Sequence, residues 1–211
     1  MGSPGSLRRA LVSGDACPEG VMGELEKLLG ARLFPHYGSR EMCLGGAVTC
    51  AAHEGMHLRE NHVVAEIVSP EGEALPDGEY GELVVTTADM QAMPLIRYKT
   101  GDYTRFLPGP CPCGGATRRL DRLSRMDSGA GIESLDDALF RLPGLIDYEA
   151  ALSGGLLRLR AVGRTERELL ESEVRRLMPG LEVRLELNAA AAEFRGFFRG
   201  KRRLLDCLDR F

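Results

Sequence analysis

The chain has 211 residues, of which 44% are hydrophobic and 27% charged, and its net charge is −4. That allows one or two packed cores and argues against nucleic acid as a main partner, because the acidic balance comes without a basic stripe. No apolar run is long enough for a bilayer, and the polar Met1–Ser6 lacks the basic-then-apolar order of a secretion signal, so a cytoplasmic protein without a membrane partner is expected.

Residues 1–7 read as a tag or a disordered start. Arg8–Gly14 is a short apolar run that stops at glycine. Pro18 suits the first turn of a helix, Val21, Met22, Leu25, Leu28 and Leu29 follow at helical spacing, and Gly30 closes the run. Residues 31–34 then read as a strand. This β-α-β unit implies the remnant of a parallel sheet, and two strands alone cannot bury one. Farther on, His62–Val68, Tyr80–Thr87, Leu95–Tyr98 and Tyr103–Leu107 are β-type runs. Turn signals at 70–72 and 76–78 separate them, which predicts a small antiparallel β-barrel subdomain. An Arg-rich connector at 118–127 and the sequence SGAG at 128–131 mark a domain boundary. Beyond it a small α+β domain is expected. Ile132, Leu135, Leu139 and Leu142 suggest a helix, and residues 156–162 a strand. Thr165 and Glu168 have capping-box spacing before Leu169, Leu170, Val174, Leu177 and Met178. Pro179-Gly180 stops that helix, and Leu181, Val183, Leu185 and Leu187 alternate like a strand. The fold class expected is α/β plus α+β.

Six cysteines are too few for a disulfide scaffold in a chain of this size. Cys111-Pro112-Cys113 followed by two glycines forms a tight knuckle whose thiolates can turn toward one ion. A four-coordinate zinc needs two more nitrogen or sulfur ligands. Cys50 and His57, seven residues apart, are the expected pair, giving a structural Cys50, His57, Cys111, Cys113 site with no position left for catalytic water. His53 is the reserve ligand, and free thiols remain the alternative. Cys17, Cys43 and Cys207 read as ordinary buried thiols.

Five motifs occur in order: Ser13-Gly14-Asp15 after a strand, HYGSREM at His36–Met42, PLIRYKTGDYTRF at Pro94–Phe106, RRLDRLSRMDS at 118–128, and RGKRRLLD at 199–206. Together they resemble the adenylate-forming enzymes of the acyl-CoA synthetase superfamily, most closely the phenylacetate-CoA ligase branch, from about residue 8 to the end. The resemblance implies a C-terminal portion of the large domain at 8–121, a hinge at 122–131 and a C-terminal α+β lid domain at 132–211. It implies that Gly14 and Asp15 line an adenine and that Tyr37 lies against its ring, with Gly38 and Arg40 near the phosphate. Arg40 stands where the family pattern has a hydroxyl. Glu41 would help to hold Mg²⁺. Asp102 would accept both ribose hydroxyls of ATP or AMP, a task suited to a carboxylate with two acceptor oxygens. Arg125 would touch ribose or phosphate, with Asp127 as the pivot. Ser124 departs from the usual glycine there. Lys201 would bring a positive charge to the acyl carboxylate and α-phosphate during adenylation. The segment with Cys50 and His57 also resembles the family's Cys and Gly-x-His stretch.

The function so implied is ATP-dependent ligation of a small carboxylic acid to CoA through an acyl-AMP. The sequence contains no Ser/Thr/Gly-rich phosphate loop, so the chain is expected to bind nucleotide poorly and to turn over little alone, needing a missing N-terminal portion. A homodimer is the other partner considered. The alternative function is a non-catalytic, zinc-stabilised interaction or regulatory module. Which acid is activated is not written in these residues.

Overall fold

The computed structural model describes residues 6–14, 17–42, 45–88, 94–126, 131–188 and 205–206. The chain divides into two compact units, Met1–Cys17 with Leu25–Met126 and Pro18–Glu24 with Asp127–Phe211.

The first unit opens with strand β1 (Arg9–Val12), helix α1 (Glu19–Leu29) leads out of it, and β2 (Arg32–Tyr37) follows. The two strands pair in parallel from Arg9↔Arg32 to Val12↔Pro35, as the β-α-β reading requires. A 3₁₀ turn at Arg40–Met42 leads to β3 (Ala47–Thr49), β4 (Met56–Leu58), β5 (Val63–Val68), β6 (Gly81–Thr87), β7 (Tyr98–Thr104), β8 (Arg119–Leu120) and β9 (Ser124–Arg125). They form two sheets in the orders β1-β2-β3-β4-β8 and β5-β6-β7-β9. Period-two patterning sets which face is buried: Val63, Ala65 and Ile67 are buried while Val64 is exposed. Those residues, with Leu83 and Val85, share one core with Met42, Ala47, Met56 and Leu58 of the other sheet, and Phe106 and Leu120 complete it.

Among the described residues the predicted barrel does not close. Both sheets are open, with β5 and β9 as the edges of one and β1 and β8 as the edges of the other. Closure needs every strand to have two partners at a consistent stagger. Strand β8 pairs with β4 and beyond it makes only the single bridge from Leu120 to Phe106, and β9 has two residues, so the two sheets do not run into one closed sheet. The two sheets instead bury their apolar faces against a common core.

Leu95–Tyr98 and Tyr103–Leu107 were expected as separate strands, yet β7 runs from Tyr98 to Thr104 through Gly101, whose φ is +72°. The register with β6 slips there, from Glu82↔Tyr103 to Val84↔Lys99. This is a β-bulge with glycine in the left-handed region, and a bulge re-aims the side chain beside it. The Thr100 hydroxyl secures it by donating to the carbonyl of Leu83 at 2.8 Å.

The second unit holds α2 (Ile132–Leu139), β10 (Leu145–Ser153), β11 (Leu156–Gly163), α3 (Arg167–Leu177), β12 (Glu182–Leu187) and β13 (Leu205–Asp206). Its sheet has the order β12-β11-β10-β13. β10 and β11 form an antiparallel hairpin, and α3 carries the chain from β11 to the parallel β12. Ile132, Leu135, Leu139, Leu157, Leu159, Leu170 and Val174 form its core around Tyr148. The buried Tyr148 hydroxyl donates to Asp136 Oδ1 at 2.6 Å, which satisfies a polar pair inside that core. The capping box is not made. Glu166, not Thr165, is the N-cap of α3 and makes no side-chain cap bond, while the buried Thr165 hydroxyl finds no partner among the described residues. No helix of the described residues is long and apolar enough to cross a membrane.

Candidate nucleotide site and metal centre

Strands β1 and β2 are parallel, and ligand sites in such sheets lie beyond the carboxyl ends of the strands. Ser13-Gly14 follows β1, and Gly38–Met42 follows β2. Ser13 Oγ and His36 Nδ1 lie 3.0 Å apart and tie the two ends together. Gly14 is exposed, with φ +107° and open space where a side chain would stand. A Cβ on Gly38 would come within 3.1 Å of the Gly45 nitrogen, so the loop after β2 folds closely on itself. Asp15, Cys43, Asp127, Lys201 and Cys207 lie outside the described residues.

The bulge in β7 brings Asp102 to this loop. Its carboxylate is largely buried, at 8% exposure. The Tyr37 hydroxyl donates to Asp102 Oδ2 at 2.6 Å, and Arg125 Nη1 donates to Oδ1 at 3.1 Å. Arg125 reaches it because Asp102 and Arg125 are register partners of β7 and β9. The Asp102 N–H is held by Thr100 Oγ1 at 3.1 Å. Three of the sequence motifs thus converge on one carboxylate. Burial above all, with the Asp102 charge and hydrogen bond behind it, pushes the Tyr37 phenol far above its ordinary value, so it stays a protonated donor.

Glu41 sits in the 3₁₀ turn. Its carboxyl lies below the ordinary carboxylate range. The Ser39 hydroxyl beside it is the main cause, its own backbone N–H the next, and Arg40 and the Tyr98 phenol add to them against a small burial effect. Ser39 Oγ itself is buried and falls short of a well-formed hydrogen bond. Tyr98 belongs to the same motif as Asp102, so the two segments meet a second time at Glu41. Arg40 is exposed. Lys99 pairs with Glu82 at 3.3 Å rather than with the Asp102 cluster.

The other candidate centre joins the β3–β4 loop to the knuckle before β8. The ligand atoms of Cys50, His57, Cys111 and Cys113 all lie within 4.8 Å of one another. Cys50 Sγ is 3.6 Å from Cys111 Sγ, and Cys113 Sγ is 3.3 Å from His57 Nε2. This donor set and spacing fit tetrahedral zinc. The remaining imidazole nitrogen, Nδ1, meets Thr117 Oγ1 at 3.1 Å, the outer contact that fixes a ligating ring. The Gly115 N–H donates to Cys113 Sγ at 3.2 Å, and a side chain there would come within 2.8 Å of His57 Cε1. Burial raises the Cys50 thiol, but the Ala52 N–H, the neighbouring thiols and His57 outweigh it and bring it down to about 7. His53 is not part of the cluster. It has φ +55°, packs on Phe34 with ring centroids 5.0 Å apart, and is held below its ordinary value by burial and then by Arg32. Cys17 is half-buried, and burial raises its thiol.

No family model matches the chain. It is 39% identical over 122 residues to phenylacetate-coenzyme A ligase of Escherichia coli K12, covering 56% of this chain and 27% of that enzyme. With phenylacetate-coenzyme A ligase of Pseudomonas putida it shares 28% identity over 204 residues, covering 94% of this chain and 42% of that enzyme. In sequence the chain is similar to phenylacetate-coenzyme A ligases. The chain spans less than half the length of these curated relatives. Among solved structures, 2-hydroxyisobutyryl-CoA ligase in the postadenylation state aligns with a TM-score of 0.80 at 22% identity, covering 96% of this chain and 49% of that one. A benzoate CoA ligase from Burkholderia xenovorans LB400 aligns with a TM-score of 0.58 at 19% identity, covering 85% and 42%. At those identities the likeness speaks for the ligase fold alone.

Sequence reasoning did not find every residue of these sites. Arg125, expected at ribose or phosphate, lays its guanidinium on the Asp102 carboxylate, a bond the sequence did not announce. Thr100 and Thr117, which hold Asp102 and His57, carry no signal of their own in the sequence. Gly101 offered one, since a glycine inside a β-type run marks a bulge.

Proposed function

We propose that this chain contributes the ribose-gripping part of the nucleotide site of an ATP-dependent carboxylic acid–CoA ligase. The observation that carries this is the convergence of Tyr37 and Arg125 on the Asp102 carboxylate. Asp102 offers two acceptor oxygens, and a vicinal diol presents two donors. The phenol and guanidinium hold the carboxylate in place before a ligand arrives, and such preorganisation lowers the cost of binding. Tyr37 presents a ring beside it for the adenine, and the open space at Gly14 leaves room for a flat base. Glu41, ionised at neutral pH, suits the hard cation Mg²⁺.

In the reaction proposed, a carboxylate oxygen attacks the α-phosphorus of ATP, and pyrophosphate leaves with the bonding electron pair. The sulfur of CoA then attacks the acyl carbon and AMP leaves. Lys201 serves the first step as a positive charge near the α-phosphate. The large-domain portion at 8–121, the hinge at 122–131 and the lid at 132–211 keep their roles in this proposal. Cys50, His57, Cys111 and Cys113 hold a structural zinc, whose four bonds leave no place for catalytic water. The acid is a small one, and an aryl acid fits the names of the sequence relatives.

Calorimetric titration with AMP tests the reading, with Asp102→Ala as control. Weak binding that the substitution abolishes is the expected result. Binding equally strong in both proteins, or in neither, overturns it and favours a non-catalytic module.

A further inference from the structure

We infer that Arg119 is the positioning residue of the metal centre, drawing its two loops together. This rests on the zinc reading above. Arg119 is a buried guanidinium with 5% exposure. Its Nη1 donates to the carbonyl of Glu54 at 3.0 Å, in the loop between Cys50 and His57. Its Nη2 faces three successive carbonyls, of Pro108 at 3.5 Å, Gly109 at 3.0 Å and Pro110 at 3.4 Å, which lead directly into Cys111. One planar fork therefore grips both metal-bearing loops, a geometry that lysine cannot reproduce.

The backbone of Arg119 serves the same end. It is the register partner of His57 between β4 and β8, and its carbonyl accepts the Leu107 N–H at 2.8 Å, at the entry to the knuckle. Among the described residues the carboxylate that meets the side chain is Glu54 Oε2, at 3.6 Å and on a side chain more than half exposed. Burying an incompletely paired guanidinium is costly.

The test is zinc affinity of the full chain, read by competition with a chromophoric chelator, for the unaltered protein, Arg119→Ala and Arg119→Lys. Losing an outer-sphere partner of this kind costs about 10–100-fold in metal affinity. Arg119→Ala is expected to show a loss of that size. Arg119→Lys, which restores charge but not the fork, should fall between. The visible spectrum with Co²⁺ should stay that of a four-ligand site, because no ligand is removed. Arg119→Lys carries the test where Arg119→Ala does not fold. Variants that bind zinc as tightly as the unaltered chain, with lowered melting temperatures only, overturn the inference. An unaltered chain that takes up no zinc sinks the metal reading itself, and this inference with it.

Discussion

Asp102 accepts two hydrogen bonds from groups far away in sequence, and each bond is a separate handle on the site. Tyr37→Phe keeps the ring and removes only the donor to Oδ2. A bond to a charged group contributes about 1.5–3 kcal/mol, so urea unfolding should register a loss of that order, accompanied by weaker AMP binding. Unchanged unfolding and AMP affinity would mean the bond does nothing. Asp121 makes a second test at this scale. It accepts the Arg105 Nε–H at 2.8 Å, the Tyr80 hydroxyl at 2.9 Å and the Arg122 N–H at 2.8 Å. Burial pushes its carboxyl up, but these bonds outweigh burial and leave it below the ordinary 3.8. A folded value below the unfolded one means stability that is full above that ordinary value and lost as pH falls through the folded one. Asp121→Asn should therefore destabilise the protein at neutral pH, and its gap to the unaltered chain should narrow in acid. Urea midpoints at about pH 7 and about pH 3 measure this, and an equal gap at both contradicts it. The identities of Tyr37 and Asp102 were legible in the sequence because their motifs are short and contiguous. Their mutual bond was not, since 65 residues separate them.

Among the elements, the strands with strict alternation were easiest to read. Val63, Ala65 and Ile67 predict β5 from local pattern alone. Closure into a barrel was not readable, because it depends on pairings between distant strands. The strand β10 was missed for a local reason. It carries Asp147 and Glu149 and two alanines, residues poor in strand preference, and is fixed by pairing with β11 across Gly154-Gly155, both at positive φ. The knuckle was the reverse case: Cys-Pro-Cys-Gly-Gly announces itself, and the structure puts Gly115 against His57 and Cys113. Gly115→Ala tests that packing. Its added carbon would sit 2.8 Å from His57 Cε1 and 3.2 Å from Cys113 Sγ. Zinc should then be lost to a chelator at a lower concentration than from the unaltered chain. Equal retention would show that the close approach has no bearing on the metal.

At the scale of the molecule, the proposed function depends on Asp102 acting on the ribose hydroxyls. The residues that would grip a ribose all lie in the first unit, so binding can be measured without reference to the second. The most direct measurement is a double cycle by calorimetry, pairing AMP and 2′,3′-dideoxy-AMP with the unaltered chain and Asp102→Ala. The account predicts that AMP binds the unaltered chain best. Stripping the hydroxyls from the ligand and removing the carboxylate from the protein should each weaken binding, and doing both should weaken it no further. Dideoxy-AMP that binds the unaltered chain as well as AMP does would contradict it.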